Sequence, residues 1–138
     1  MASLIFNRGL EQWAKGTIDF DTDTFKVLLT TSAYAENKDT HDFRDDVTNE
    51  VVGTGYSAGG NTVTVAPTLD TANDRIDISL GGTTWASSTI TARKAVYYKS
   101  RGGAASADEI IAVIDFGADV STTNGTFTLT ASTLRVQN

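Results

Sequence analysis

His41 is the single histidine of the chain. It sits among carboxylates in Asp39-Thr40-His41-Asp42-Phe43-Arg44-Asp45-Asp46. An imidazole that titrates near neutrality beside acids that could orient it is the raw material of a general base. A hydrolase built on it would present a serine on a sharp turn, commonly as Gly-x-Ser-x-Gly, and His41 is read here as lacking that partner. With no cysteine, thiolate nucleophiles, Cys-ligated zinc and disulfides all drop out. Capping of a short helical turn by Asp39 or Thr40 explains the same residues, so no catalytic residue is assigned. An enzyme using His41 with Asp42 or Asp45 stays open as a third reading.

Three further patterns could carry chemistry. Asp19-Phe20-Asp21-Thr22-Asp23 opens like a calcium loop, in which carboxylates at alternate positions converge on one cation. The sixth place is Thr24 rather than Gly and the twelfth is Thr30 rather than Glu, so a solvated acidic turn is expected and no metal ligand is assigned. Gly53-Thr54-Gly55-Tyr56-Ser57-Ala58 has the Gly-x-Gly-x-x-Ala form of a dinucleotide fingerprint. It runs on into Gly59-Gly60-Asn61 instead of a helix whose N-terminus could hold a pyrophosphate, so no cofactor is expected. Trp13, Trp85, Tyr34, Tyr56, Tyr97 and Tyr98 could form a platform on which sugar faces stack, or could simply fill a core and subunit contacts.

The elements that must position these residues are mainly strands. Ile76, Ile78 and Leu80 alternate with Asp77 and Ser79, Phe127 and Leu129 alternate with threonines, and so do Val63 and Val65. Period two marks half-buried strands. Phe25-Lys26-Val27-Leu28-Leu29 and Ile110 to Phe116 are apolar on both parities and are placed centrally. The run Ile90 to Tyr98 carries two adjacent tyrosines whose rings must leave on opposite sides, which gives one of them a surface or interface role. Glycine-rich breaks separate the runs, and Pro67 is placed just after a strand. One helix is expected over Arg8 to Lys15, capped by Asn7, packed through Leu10, Trp13 and Ala14, and ended by Gly16. A second helical turn is expected from His41 to Val47. The sum is one all-β domain over residues 1–138: an antiparallel β-sandwich, jelly-roll-like, with a short N-terminal helix.

At 138 residues there is room for one hydrophobic core, and 40% hydrophobic against 20% charged residues is the balance of a chain that folds. A formal net charge of −6 removes the counterion-release term that drives binding to phosphate backbones, so nucleic acid is not an expected partner. Nor is a membrane expected, since no run approaches the roughly 20 apolar residues of a spanning helix. The N-terminal Leu4-Ile5-Phe6 lacks the basic run and longer apolar stretch of a secretory signal. Asn124-Gly125-Thr126 is therefore read as a turn rather than a glycosylation site.

Several stretches taken together are familiar. Phe25-Lys26-Val27-Leu28-Leu29, the acidic run Asp39 to Val47, Gly53-Thr54-Gly55-Tyr56 with Gly59-Gly60, Ala95-Val96-Tyr97-Tyr98-Lys99, Ile114-Asp115-Phe116-Gly117 and Gly125-Thr126-Phe127-Thr128-Leu129 follow one another across nearly the whole chain. In that order they resemble small virion accessory proteins of tailed bacteriophages. Each motif is only a strand or a turn, so it is the set that is specific.

The resemblance implies a structural role: decorating or cementing a capsid on its outer surface by binding the major capsid protein, after synthesis in the bacterial host cytoplasm. Other copies of the chain are expected neighbours. Leu4, Ile5, Phe6, Leu10 and Trp13, in the segment 1–16, are the candidate partner interface, because their apolar side chains fall outside the strand pattern; a helical lid over one end of the sandwich is the competing explanation. The alternative role is a tail or head-fibre component, possibly a glycan-binding module stacking sugars on Trp85 and Tyr98.

Overall fold

The structure, a computed structural model, describes residues 2–137. In chain order the elements are β1 (Ala2–Ile5), α1 (Asn7–Ala14), β2 (Phe25–Thr30), β3 (Asn61–Val63), β4 (Val65–Asp70), β5 (Arg75–Leu80), β6 (Thr83–Ser88), β7 (Thr91–Lys99), β8 (Ile110–Ser121), β9 (Gly125–Leu129) and β10 (Ser132–Gln137). Single 3-10 turns occur at Arg44–Asp46 and Ala105–Ala107. The fold is all-β with a short N-terminal helix, and the paired strands are antiparallel. A five-stranded sheet runs β1-β8-β7-β2-β3, a three-stranded sheet β10-β5-β4, and a two-stranded sheet β6-β9. The layering is sandwich-like.

The centre of the large sheet is buried on both faces, as the apolar runs require. Phe25, Val27, Leu29, Ala95, Tyr97, Ala112 and Ile114 turn toward the two smaller sheets, where Ile78, Leu80, Trp85, Phe127, Leu129 and Leu134 meet them. Leu28, Val96, Tyr98, Ile110 and Val113 turn the other way and are covered by Phe6 and Tyr34. Tyr97 and Tyr98 therefore leave on opposite sides, as expected, but neither reaches the surface. The Tyr97 hydroxyl donates to the Gly81 carbonyl at 3.0 Å and the Tyr98 hydroxyl to the Gly59 carbonyl at 2.6 Å. Each ring thus has a polar tip satisfied inside the protein, and burial pushes both phenols up to about 12.

The helix is found one residue earlier than expected and packs differently. Phe6 stands at the cap without a side-chain bond, and Asn7 instead donates from Nδ2 to Asp39 at 2.6 Å. The face toward β8 is the row Gly9 and Trp13, and an added Cβ on Gly9 would stand 2.7 Å from the Ile110 carbonyl oxygen. That close approach turns Leu10 and Ala14 outward. Gly16, at φ +77°, ends the helix. Pro67 lies within β4, not after a strand; β4 is an edge, so the missing N–H leaves no ladder bond unmade.

Long connections are pinned by charges on the central strands. Lys99 donates to the Thr17 carbonyl and pairs with Asp23, both within 2.7 Å. Lys94 holds the Tyr34 carbonyl at 2.7 Å and pairs with Glu36. Asp108, almost fully buried, accepts from Arg44 Nε and from the Arg101 backbone N–H, both at 2.9 Å.

Glycine geometry gives a test of this packing. Gly60 has φ +69° and an added Cβ would lie 1.8 Å from the Val27 carbonyl oxygen, whereas Gly102, at φ +77°, has open space. Gly102→Ala should cost about 1–2 kcal/mol from the left-handed backbone alone. Gly60→Ala should cost more than about 4 kcal/mol or prevent folding, because β2 itself must move; urea denaturation of the two variants measures the difference.

Candidate functional site

Each sequence candidate now has a place. His41 lies against Tyr34, the rings 5.7 Å apart and stacked, with Nδ1 3.0 Å from the Tyr34 hydroxyl. Asp42, which was to orient it, pairs with Arg8 at 3.0 Å, and Asp45 is exposed. The helical turn expected over His41 to Val47 shrinks to Arg44–Asp46. Its cap is neither Asp39 nor Thr40 but the Asp46 carboxylate, which reaches back to the Asp42 and Phe43 backbone N–H groups at 2.8 and 3.0 Å. Burial acts to raise the Asp46 pKa, and those two N–H bonds with help from His41 outweigh it and hold the carboxyl below its usual value.

One motif escaped the sequence reading. Gly55-Tyr56-Ser57-Ala58-Gly59 does spell Gly-x-Ser-x-Gly. A nucleophile elbow needs a strand before the serine and a helix after it. Here Ser57 lies in a loop closed by the Gly60 N–H on the Ser57 carbonyl at 3.0 Å, and β3 follows. Among the described residues no hydrogen bond joins Ser57 to His41.

The same loop explains the dinucleotide-like glycines. An added Cβ on Gly53 would stand 2.5 Å from the Thr89 carbonyl oxygen, and one on Gly55 2.8 Å from the Ser88 Cα. Glycine is needed for backbone contact with the end of β6. Glu50 then pins the loop, accepting from the Tyr56 hydroxyl at 2.7 Å and the Gly59 N–H at 2.6 Å, while Leu29 N donates to the Tyr56 oxygen at 2.9 Å.

The acidic loop is an Asx-type turn. Asp19 accepts from the Asp21 N–H at 2.9 Å, a bond that heads the causes depressing its pKa, and the Asp19 N–H is held by Asp23 at 2.8 Å. With Asp23 bound to Lys99, the three carboxylates do not converge; among the described residues no cluster of metal-ligating side chains occurs.

The aromatic platform is also corrected. Trp85 is 4% exposed and Tyr98 1%, so neither can stack a sugar. Trp85 instead packs edge-on against Phe127 at 5.9 Å and tilted on Tyr56 at 5.8 Å.

The candidate interface separates into core and surface. Phe6 is fully buried, and truncating such a ring removes about 3–5 kcal/mol, far too much for it to leave for a neighbour. β1 is no loose arm, because Ala2–Ile5 pairs with Asp115 to Ala112 of β8. Leu4 and Ile5 are half-buried on opposite faces of that sheet, and Trp13 packs on Phe20 at 5.7 Å. Of the five, only Leu10 is strongly exposed, at 44%. The helix therefore acts as the intramolecular lid, closing a crevice with Ile78, Leu134 and Val136.

Around this scaffold the surface is acidic. Among the described residues every Lys and Arg except Lys26 and Lys38 is ion-paired, which leaves carboxylates such as Asp39, Asp45, Asp74 and Asp119 to carry the net charge of −6. Among the described residues no helix is long and apolar enough to cross a membrane. No protein family, curated protein or solved structure matches the chain.

The pH dependence follows from depressed carboxyls. Asp46, and Asp115 held down chiefly by Arg93 with the Gly117 N–H, favour the folded state when ionised. Their contribution is complete above the ordinary carboxylate range and is lost as pH falls through their lowered folded values. The urea midpoint should stay level from about pH 8 to pH 5 and fall below about pH 4. Asp46→Ala should lose about 1–2 kcal/mol at neutral pH, the worth of a cap, and show a shallower acid fall.

Proposed function

We propose that the chain is a tailed-phage virion accessory protein that decorates or cements the capsid from outside by binding the major capsid protein. The observation that carries the reading is the ordered set of motifs running through nearly the whole chain. These motifs coincide with the parts that make the fold: Phe25 to Leu29 is most of β2, Ala95 to Lys99 is the buried half of β7, and Gly59-Gly60 is the loop that rests on β2 and accepts from Tyr98. A resemblance confined to surface loops would carry less, because loops vary most freely.

The physical properties support the same role. An outer accessory must fold before it assembles, remain soluble, and gain its grip from many weak contacts repeated over a lattice. An acidic exterior keeps it off packaged nucleic acid. Catalysis is no part of the proposal, and His41 and Ser57 are assigned structural places. A glycan-binding alternative has lost Trp85 and Tyr98, and a tail or fibre location is tested alongside the capsid. The remaining contact of the N-terminal segment with a partner is through Leu10, beside the half-buried Val136.

Cosedimentation with assembled capsids that lack the protein, with tails as the control, is the test. Saturable binding to capsids and greater resistance of the shells to chaotrope are expected; binding to tails alone, or to neither, overturns the reading. Leu10→Lys should weaken capsid binding at least about tenfold, the scale of a small apolar anchor, without lowering the melting temperature.

A further inference from the structure

Along β5, Leu80, Ile78 and Ile76 point to one face of the three-stranded sheet, the face that Leu80 and Ile78 press into the main core. Ile76 stands opposite Leu69 of β4 on one side and Val136 of β10 on the other, and directly opposed residues share a face. Burial falls away along it: Leu80 and Ile78 are buried, Ile76 and Val136 half-buried, and Leu69 is 70% exposed. The sheet therefore runs one row past the layer that covers it, and that row is still apolar. Val136 also borders the crevice under the helix beside Leu10, so the apolar strip continues from Leu69 through Ile76 and Val136 to the exposed Leu10.

Leu69, Ile76 and Val136 floor an open hollow of about 360 Å³ whose walls include Asp70, Asp74 and Arg75. The charges at this end are unbalanced. Arg75 pairs with Asp70 at 3.2 Å and with Asp77 at 3.0 Å, and Arg135 also reaches Asp77, at 3.5 Å. Asp74 is exposed, and among the described residues no cation pairs with it. Nor does the turn depend on its carboxylate. Asp70 makes the bonds of the turn, accepting from the Asn73 N–H at 3.3 Å and from Asn73 Nδ2 at 2.8 Å. Asp74 itself sits at φ +51°, a left-handed backbone that Asn or Gly adopts as readily.

An apolar floor with one unneutralised carboxylate at its rim fits an apolar side chain that has a cation next to it. The net charge of −6 draws a basic partner from a distance, whereas a second copy of this chain would bring further carboxylates to a rim that already has one too many. We infer that the strip from Leu69 to Leu10 is a docking surface for a partner segment in which an apolar side chain adjoins a lysine or arginine. The inference rests on the capsid reading only in assigning that segment to the major capsid protein.

Methyl NMR of the full chain, titrated with n-hexylammonium and separately with hexanoate, tests the surface without any capsid. Saturable shifts of the Leu69, Ile76 and Val136 methyls are expected, at least about threefold tighter for the ammonium, the scale of one exposed ion pair. Asp74→Asn should remove that preference. No saturable shift, or equal affinity for the two ions, overturns the inference. In cosedimentation with capsids, Leu69→Lys and Asp74→Lys should each weaken binding at least about tenfold with unchanged melting. Val52→Lys, at a 95% exposed position outside the strip, should bind as the unaltered chain does. Capsid binding that Leu69→Lys leaves intact overturns the inference and keeps the capsid reading. Self-association of the chain that Leu69→Lys abolishes also overturns it, giving the strip to a second copy. If the unaltered chain binds no capsid, the capsid reading falls alone and the titration decides the surface.

Discussion

β7 is stable only if both of its faces are covered, because Ala95 and Tyr97 point to one side, Val96 and Tyr98 to the other, and all four are out of water. A two-layer arrangement covers one side of a sheet with another sheet. Here the second side is covered by irregular chain: Phe6 at the start of the helix, and Tyr34 in the long connection after β2. Each fully buried aromatic ring is worth several times the free energy of a surface contact. The connections are therefore part of the core and must be held in one place.

Polar groups at the margins of the sheet do the holding. Lys94 and Lys99 extend from β7 and draw in the 31–41 and 17–24 segments by their carbonyls and acids. Asp108 joins the turn after β7 to Arg44, whose guanidinium lies 5.1 Å above the Tyr98 ring. A buried pair is weak evidence for stability in itself, since desolvation offsets the attraction. Its effect here is positional: each buried charge has one place where it is satisfied, and that place fixes a loop across the second core.

The strands were legible because period two and two-sided apolar runs are local signals. β2, β5, β7, β8 and β9 all lie where those signals stand. What sequence could not show was the cover over the second face, which joins residues far apart in the chain, so Tyr98 was read as a surface candidate and Trp85 as a sugar platform. Leu4, Ile5 and Phe6 looked unattached because four residues are too few to display a strand period, and only pairing with β8 makes β1. Asn7 and Leu10 misled because the Gly9 contact with β8 rotates the helix. Ser57 went unread although its motif was complete, and Val52 had no signal at all: an apolar residue beside another is indistinguishable from core until its neighbours are placed.

The chain's motifs are those of its framework, and what faces outward is charge, a hydroxyl-lined concavity and a few exposed apolar side chains. Native-state hydrogen exchange tests the two-faced core most directly. The amides of Val96 to Tyr98 and Ile111 to Val113 should exchange only by global unfolding, with urea dependence equal to that of the whole protein, while those of β4 and β10 open locally. Exchange of the β7 amides by local opening, at rates like those of β4, would contradict the account.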